Sequence, residues 1–145
     1  MTTEQALNRH FVATGILKEG CTREDWYAGH WIRIQLGRLE LPFFPILRRN
    51  GPVVLHDLHH MLAGYPTDWR GEMEVAGWEL GSGGCGWHGF YWIDRLTAFL
   101  LGLVMATGPT LRAFTRGRKC RNLFRRNPEE VLRTDADELR AQLGV

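Results

Sequence analysis

The chain predicts an all-α fold, a compact single-domain bundle of six or seven helices spanning residues 1–145. Three observations predict it. Apolar residues recur at three- and four-residue spacing along most of the chain, as one face of a helix with about 3.6 residues per turn requires. Helix-start residues and helix-stop glycines fall at the ends of these stretches. No alternating apolar–polar run flanked by hairpin turns stands out. The apolar fraction of 44% and charged fraction of 23% are those of a folded domain with a real core.

The elements follow in order. Glu4 to Leu17 puts Leu7, Phe11, Thr14 and Leu17 on one side, with Gly15 near the end. Thr22 and Asp25 resemble a capping box that opens a helix through Trp26, Ile32, Leu36 and Leu39. Pro42, Pro45 and Pro52 punctuate a break, and Pro52 suits the first position of the helix VVLHDLHHMLAG. Gly64 closes that helix, Tyr65-Pro66 makes the turn, and Thr67 caps DWRGEMEVAGWEL. GSGGCG reads as a flexible loop. Trp87 to Thr107 is a long helix, apolar nearly all round, so it is buried, lipid-facing or part of a lipid pocket. Gly108-Pro109 interrupts it, and TLRAFTRGRK continues as a basic amphipathic segment. Asn127-Pro128 with Glu129 and Glu130 opens a short final helix. Gly102 and Ala106 form a small-xxx-small pair that permits close helix contact.

A net charge of +2 does not by itself imply nucleic acid, and we expect none as a partner. Positive charge is instead local: Arg112, Arg116, Arg118, Lys119, Arg121, Arg125 and Arg126 crowd together. Such a stretch can read anionic phospholipid head groups, or serve as an ordinary solvated face. Cys21, Cys85 and Cys120 form no CxxC pair, which argues against a disulfide framework and fits a reducing compartment. The N-terminus has no charged-then-apolar signal, so export is not expected. The run Leu96 to Ala106 is short of the roughly 20 apolar residues a spanning helix needs.

Chemistry concentrates in HDLHHMLAGYPTDWRGE, His56 to Glu72. His56 and His60 stand one helical turn apart on one face. Asp57 lies about 100° round from His56. Glu72 follows near the start of the next helix. Two imidazoles and two carboxylates suit a hard-to-borderline divalent metal. A lone histidine is usually structural or solvated; three beside an aspartate in five residues weigh toward metal binding. Glu79, seven residues after Glu72, falls on nearly the same helical face, as a general acid/base or a partner to a metal ligand. His59 is expected to face the core or hydrogen-bond behind the ligands. His30 and His88 are weaker candidates, and His10 is weaker still. Trp26, Trp31, Trp69, Trp78, Trp87 and Trp92 suit core packing or a prenyl-tail groove.

Three resemblances bear on this motif. HDLHH matches the HxxHH box of membrane desaturases, but those need several boxes and spanning helices. The His-Asp pair is similar to the HD phosphohydrolases, with His30 and Asp94 as the further ligands, which leaves His60 and Glu72 idle. The fuller match is His-Asp-x-x-His, eleven residues, then Glu. His56, Asp57, His60 and Glu72 stand at that spacing, which resembles the coenzyme Q (ubiquinone) biosynthesis family, the fourth of the COQ series. Leu-x-Gly, Pro-Thr, a Gly-Glu pair and Trp78-Glu79 follow in the family's order, over about residues 50–125. GSGGCGWHG and His59 depart from the family pattern.

This resemblance implies an all-α fold and a divalent metal, zinc first, with iron or manganese as other choices. It implies a polyprenylated quinone precursor as substrate, with oxidative decarboxylation of its ring carboxylate. It further implies an anionic membrane surface, other quinone biosynthesis enzymes as partners, and an oligomer. Its alternative is a non-catalytic prenyl-lipid-binding scaffold. The expected location is cytoplasmic, peripheral to the inner membrane.

Overall fold

A computed structural model of the chain describes residues 1–21, 32–36, 39–43 and 51–145. The described residues hold seven helices: α1 (Thr3–Ala13), α2 (Pro52–Ala63), α3 (Trp69–Gly81), α4 (Gly89–Met105), α5 (Thr107–Gly117), α6 (Pro128–Arg133) and α7 (Ala136–Leu143). They also hold one hairpin, β1 (Ile32–Leu36) with β2 (Leu39–Phe43). Helical architecture therefore dominates, as the sequence predicts. The chain divides into two compact units, one of Met1–Leu7 with Gly51–Val145, the other of Asn8–Asn50.

In the second unit the helix expected to run through Ile32, Leu36 and Leu39 is replaced, over its described part, by the hairpin. The strands are antiparallel, with Ile32 opposite Phe43 and Leu36 opposite Leu39. The physical reason lies in the sequence. Ile32, Ile34 and Leu36 alternate with Arg33 and Gln35, and Leu39, Leu41 and Phe43 alternate with Glu40 and Pro42. Gly37-Arg38 between them is a Gly-X hairpin signal. The Thr22–Asp25 capping box, Trp26, His30, Trp31 and Pro45 lie outside the described residues.

The first unit is built on α3. It packs most closely on α5 and then on α4. Glycines permit that closeness. A Cβ on Gly81 would stand 2.3 Å from the Phe114 carbonyl oxygen, and one on Gly117 2.3 Å from that of Trp78. Ala63, Tyr65, Val75, Trp78 and Ala113 share one buried cluster. Helix α2 touches α3, α6 and α7, and buries Val54, Leu55, Leu58 and all three of its histidines. Gly102 of the small-residue pair is buried against Thr110 and Met73.

Several boundaries differ by a residue or two, for local reasons. The N-cap of α3 is Asp68, not Thr67: its Oδ1 accepts from the Gly71 N–H at 2.8 Å. The chain breaks at Ala106, so Gly108 and Pro109 fall in the first turn of α5, where a missing N–H costs little. The expected final helix is two, the second capped by Asp135. The glycine loop after α3 is tied down, because Asn122 Nδ2 donates to the carbonyls of Gly84 (2.8 Å) and Glu79 (3.2 Å).

Helix α4 leaves a broad apolar face open. Ile93 is 68% exposed, Leu100 59%, Val104 82% and Met105 72%. No helix among the described residues is long and apolar enough to cross a membrane.

Candidate metal centre

The site is built by the end of α2 and the start of α3. Pro52 opens α2 at a position that needs no N–H. Gly64 closes it at φ 78°, a left-handed conformation that glycine adopts without a Cβ penalty. The N–H groups of Gly64 and Tyr65 both donate to the His60 carbonyl at 3.0 Å. This turn brings the Tyr65 carbonyl back to 3.2 Å from His60 Nδ1. Arg116 completes the helix end, donating to the Ala63 carbonyl at 2.7 Å and lying over the Tyr65 ring. Asp68 then starts α3, placing Glu72 in the first turn, where the helix dipole favours a carboxylate.

His56, His60 and Glu72 each offer one atom to a group lying mutually within 4.8 Å. Glu72 Oε1 is 3.2 Å from His60 Nε2, and Glu72 Oε2 is 3.4 Å from His56 Nε2. The far nitrogen of each ring is fixed. His56 Nδ1 donates to Glu79 Oε1 at 2.8 Å, and His60 Nδ1 donates to the Tyr65 carbonyl. Each neutral ring therefore carries its proton on Nδ1 and turns the Nε2 lone pair toward Glu72. His60 Nε2 is buried and has no hydrogen bond. Two lone pairs facing one carboxylate repel unless a proton or a cation stands between them. Rings aimed through Nδ1 by a carboxylate or carbonyl are how metal-binding histidines are held. The donor set fits, and these three side chains can hold one divalent cation.

Asp57, the fourth candidate, is not in the group. Around α2 the order is His59, His56, His60, Asp57, and α3 lies on the side of the first three. The Asp57 charge acts instead on Tyr91, whose hydroxyl pKa is raised by burial first and by Asp57 next.

Glu79 is two helical turns, about 10 Å, beyond Glu72 along α3. It is fully buried, and its Oε1 also accepts from His59 Nδ1 at 2.7 Å. The geometry makes Glu79 the group that aims His56 and His59. His59 takes the place behind the ligands that the sequence suggested. Its Nε2 accepts from the Leu123 N–H at 2.9 Å, so both ring nitrogens are engaged and the ring is neutral. Burial, which outweighs Glu79, holds the His59 pKa below its ordinary value.

The charges are strongly coupled. Burial opposes protonation of His56, yet the Glu79 and Glu72 carboxylates outweigh both burial and Arg95 and raise its pKa to about 10. Burial likewise opposes ionisation of Glu72 and Glu79, but the facing histidines hold both far below the usual carboxylate range. Cys85 is buried, and burial with the Glu79 charge pushes its thiol up to about 12, so it stays protonated.

One contributor escaped the sequence reading. Arg95 of α4 is buried, with Nη1 3.1 Å from Glu72 Oε2. Its signal was available: an Asp-Arg pair inside an otherwise apolar helix must be partnered to be buried. Asp94 is that partner, 2.8 Å from Arg95 Nε. His88 Nε2 lies 3.3 Å from the Phe124 carbonyl and does not join the group. No protein-family model, no curated protein and no solved structure matches the chain.

Proposed function

We propose that the protein is a metal-dependent enzyme that removes the ring carboxylate of a polyprenylated benzenoid precursor of ubiquinone and puts a hydroxyl in its place. The observation that carries the metal part is the pair of Nε2 lone pairs, each locked from behind, aimed at one carboxylate. The substrate part rests on the resemblance carried by His56, Asp57, His60 and Glu72. Three protein ligands leave coordination positions for substrate oxygens. When bound, the cation supplies Lewis-acid stabilisation of the charge that develops as CO₂ departs. Glu79 and Tyr65 hold the two rings in place for it.

The overall change is a two-electron oxidation. The ring carbon–carboxyl bond breaks, CO₂ leaves, and water supplies the new hydroxyl. Two electrons and two protons pass to an external oxidant of the dioxygen class, which leaves as peroxide. Zinc and iron both suit two imidazoles and a carboxylate, and iron adds redox chemistry that zinc lacks.

The exposed face of α4, with the basic residues of α5 following it, supports docking on an anionic membrane where such precursors reside. That face also favours the second reading, a prenyl-lipid-binding scaffold whose metal only ties α2 to α3. One experiment separates them. Protein purified without chelators is analysed for metal and bound lipid, then given a prenylated hydroxybenzoate while CO₂ is measured. The enzyme reading expects CO₂ release by wild type, lost in a folded Glu72→Gln variant. Metal-loaded protein that binds the lipid without releasing CO₂ contradicts it and supports the scaffold.

A further inference from the structure

We propose that Arg95 is the positioning residue of the cation site, holding one oxygen of Glu72 so that Glu72 meets the cation with the other. This rests on the metal reading above. Asp94 grips the guanidinium from behind through Nε and Nη2, both on Asp94 Oδ2. That grip turns Nη1 inward. It lies 3.1 Å from Glu72 Oε2 and 3.8 Å from Glu79 Oε2. It is also 3.4 Å from both ring nitrogens of His56. With Nδ1 giving its proton to Glu79, the ring nitrogen of His56 that can accept from Arg95 is Nε2, a long contact at 3.4 Å that a cation at Nε2 would displace. The oxygens of Glu72 are thereby divided: Oε2 lies with Arg95 and 3.4 Å from His56 Nε2, and Oε1 faces His60 Nε2.

Two consequences follow. A carboxylate with one oxygen held by a guanidinium favours binding a cation through the other oxygen over chelating it with both, which keeps coordination positions open for a second molecule. Charge also balances. Glu72, Glu79 and Asp94 against Arg95 leave two negative charges, those of one divalent cation when the histidines are neutral. A lysine cannot substitute fully, because one planar fork serves two carboxylates on different sides. Glu72 has a side chain 35% exposed, so without this hold it is free to turn toward solvent.

The test is Zn²⁺ affinity by chelator competition for wild type, Arg95→Met, Arg95→Lys and Asp94→Asn, with apo melting curves and Co²⁺ absorption spectra alongside. Asp94→Asn keeps the buried guanidinium and covers the case in which Arg95→Met does not fold. We expect affinity about 10–100-fold weaker in Arg95→Met, the usual cost of losing a group that orients a metal ligand. Asp94→Asn should weaken it in the same direction, and Arg95→Lys less than Arg95→Met. The Co²⁺ bands should shift in the variants even where apo melting is unchanged. Wild type that binds Zn²⁺, with folded variants that bind it equally or more tightly and keep the Co²⁺ spectrum, overturns this inference alone. Wild type that takes up neither cation overturns the metal reading and this inference with it.

Discussion

The Tyr65 carbonyl lies 3.2 Å from His60 Nδ1, and this contact decides which nitrogen of His60 faces Glu72. A carbonyl can only accept, so Nδ1 carries the proton and Nε2 offers its lone pair. The contact exists because Gly64 turns the chain left-handed straight after α2. A turn residue thus sets the chemistry of a side chain four positions earlier. Replacing Gly64 by Val should move that carbonyl and weaken Zn²⁺ binding, read by the same chelator competition. Unchanged affinity in folded Gly64→Val would contradict this link.

Asp57→Asn should keep one divalent cation per chain, because Asp57 stands outside the three-residue group. Elemental analysis of the purified variant measures this. Loss of the metal as complete as in His60→Ala would restore Asp57 to the ligand set.

His59→Phe should cost stability without costing metal. An aromatic ring, somewhat larger, still fills the space between Trp78 and Phe124, but the Leu123 N–H loses its acceptor. A buried donor stranded in this way costs about 1–3 kcal/mol. Denaturant unfolding should show that loss in the apo and loaded protein alike, with metal stoichiometry intact. A metal-free but fully stable variant would reverse the assignment.

Much of this site was legible because helical spacing is rigid. His56 and His60 share a face by spacing alone, and Glu72 falls where a capped helix must begin. Asp57 stands outside the group of His56, His60 and Glu72: its direction depends on which side α3 packs, and spacing on one helix does not contain that. Glu79 was legible as a residue near the site; its role in aiming two rings needed the depth of α3 in the fold. Arg95 is hidden in the sequence by the apolar run around it, which resembles a featureless helix. The alternation in β1 and β2 is masked in the sequence because leucine and isoleucine at three- and four-residue spacing mimic a helix there.

The pH dependence follows from His56. Its folded pKa of about 10 exceeds the ordinary histidine value of about 6.5. In the apo protein its protonation therefore contributes stability that is fully present below about pH 6.5 and is lost as pH rises through about 10. Metal requires the neutral ring, so at pH 8 binding should release close to one proton from His56. Titration calorimetry in buffers of different ionisation enthalpy reads that number. Absence of proton release at pH 8 would contradict the charge assignment.

Membrane docking predicts two separable losses. Leu100→Ser with Val104→Ser, both exposed, should weaken binding to vesicles containing anionic lipid, and so should reversing Arg112, Arg118 and Lys119 to Glu. Arg116 is best left alone, because it holds the end of α2. Each basic residue near such a surface contributes about 1 kcal/mol, weakened by salt. Metal content should not change. Vesicle co-sedimentation that is unaltered in both variants would assign these surfaces another purpose.

The central claim is that His56, His60 and Glu72 hold one divalent cation, and direct titration of the apo protein with Zn²⁺ tests it most closely. Wild type should show a single site per chain, abolished in His60→Ala and strongly weakened in Glu72→Gln, with both variants folded by circular dichroism. Wild type that binds no divalent cation, or variants that bind it as well as wild type does, would contradict it.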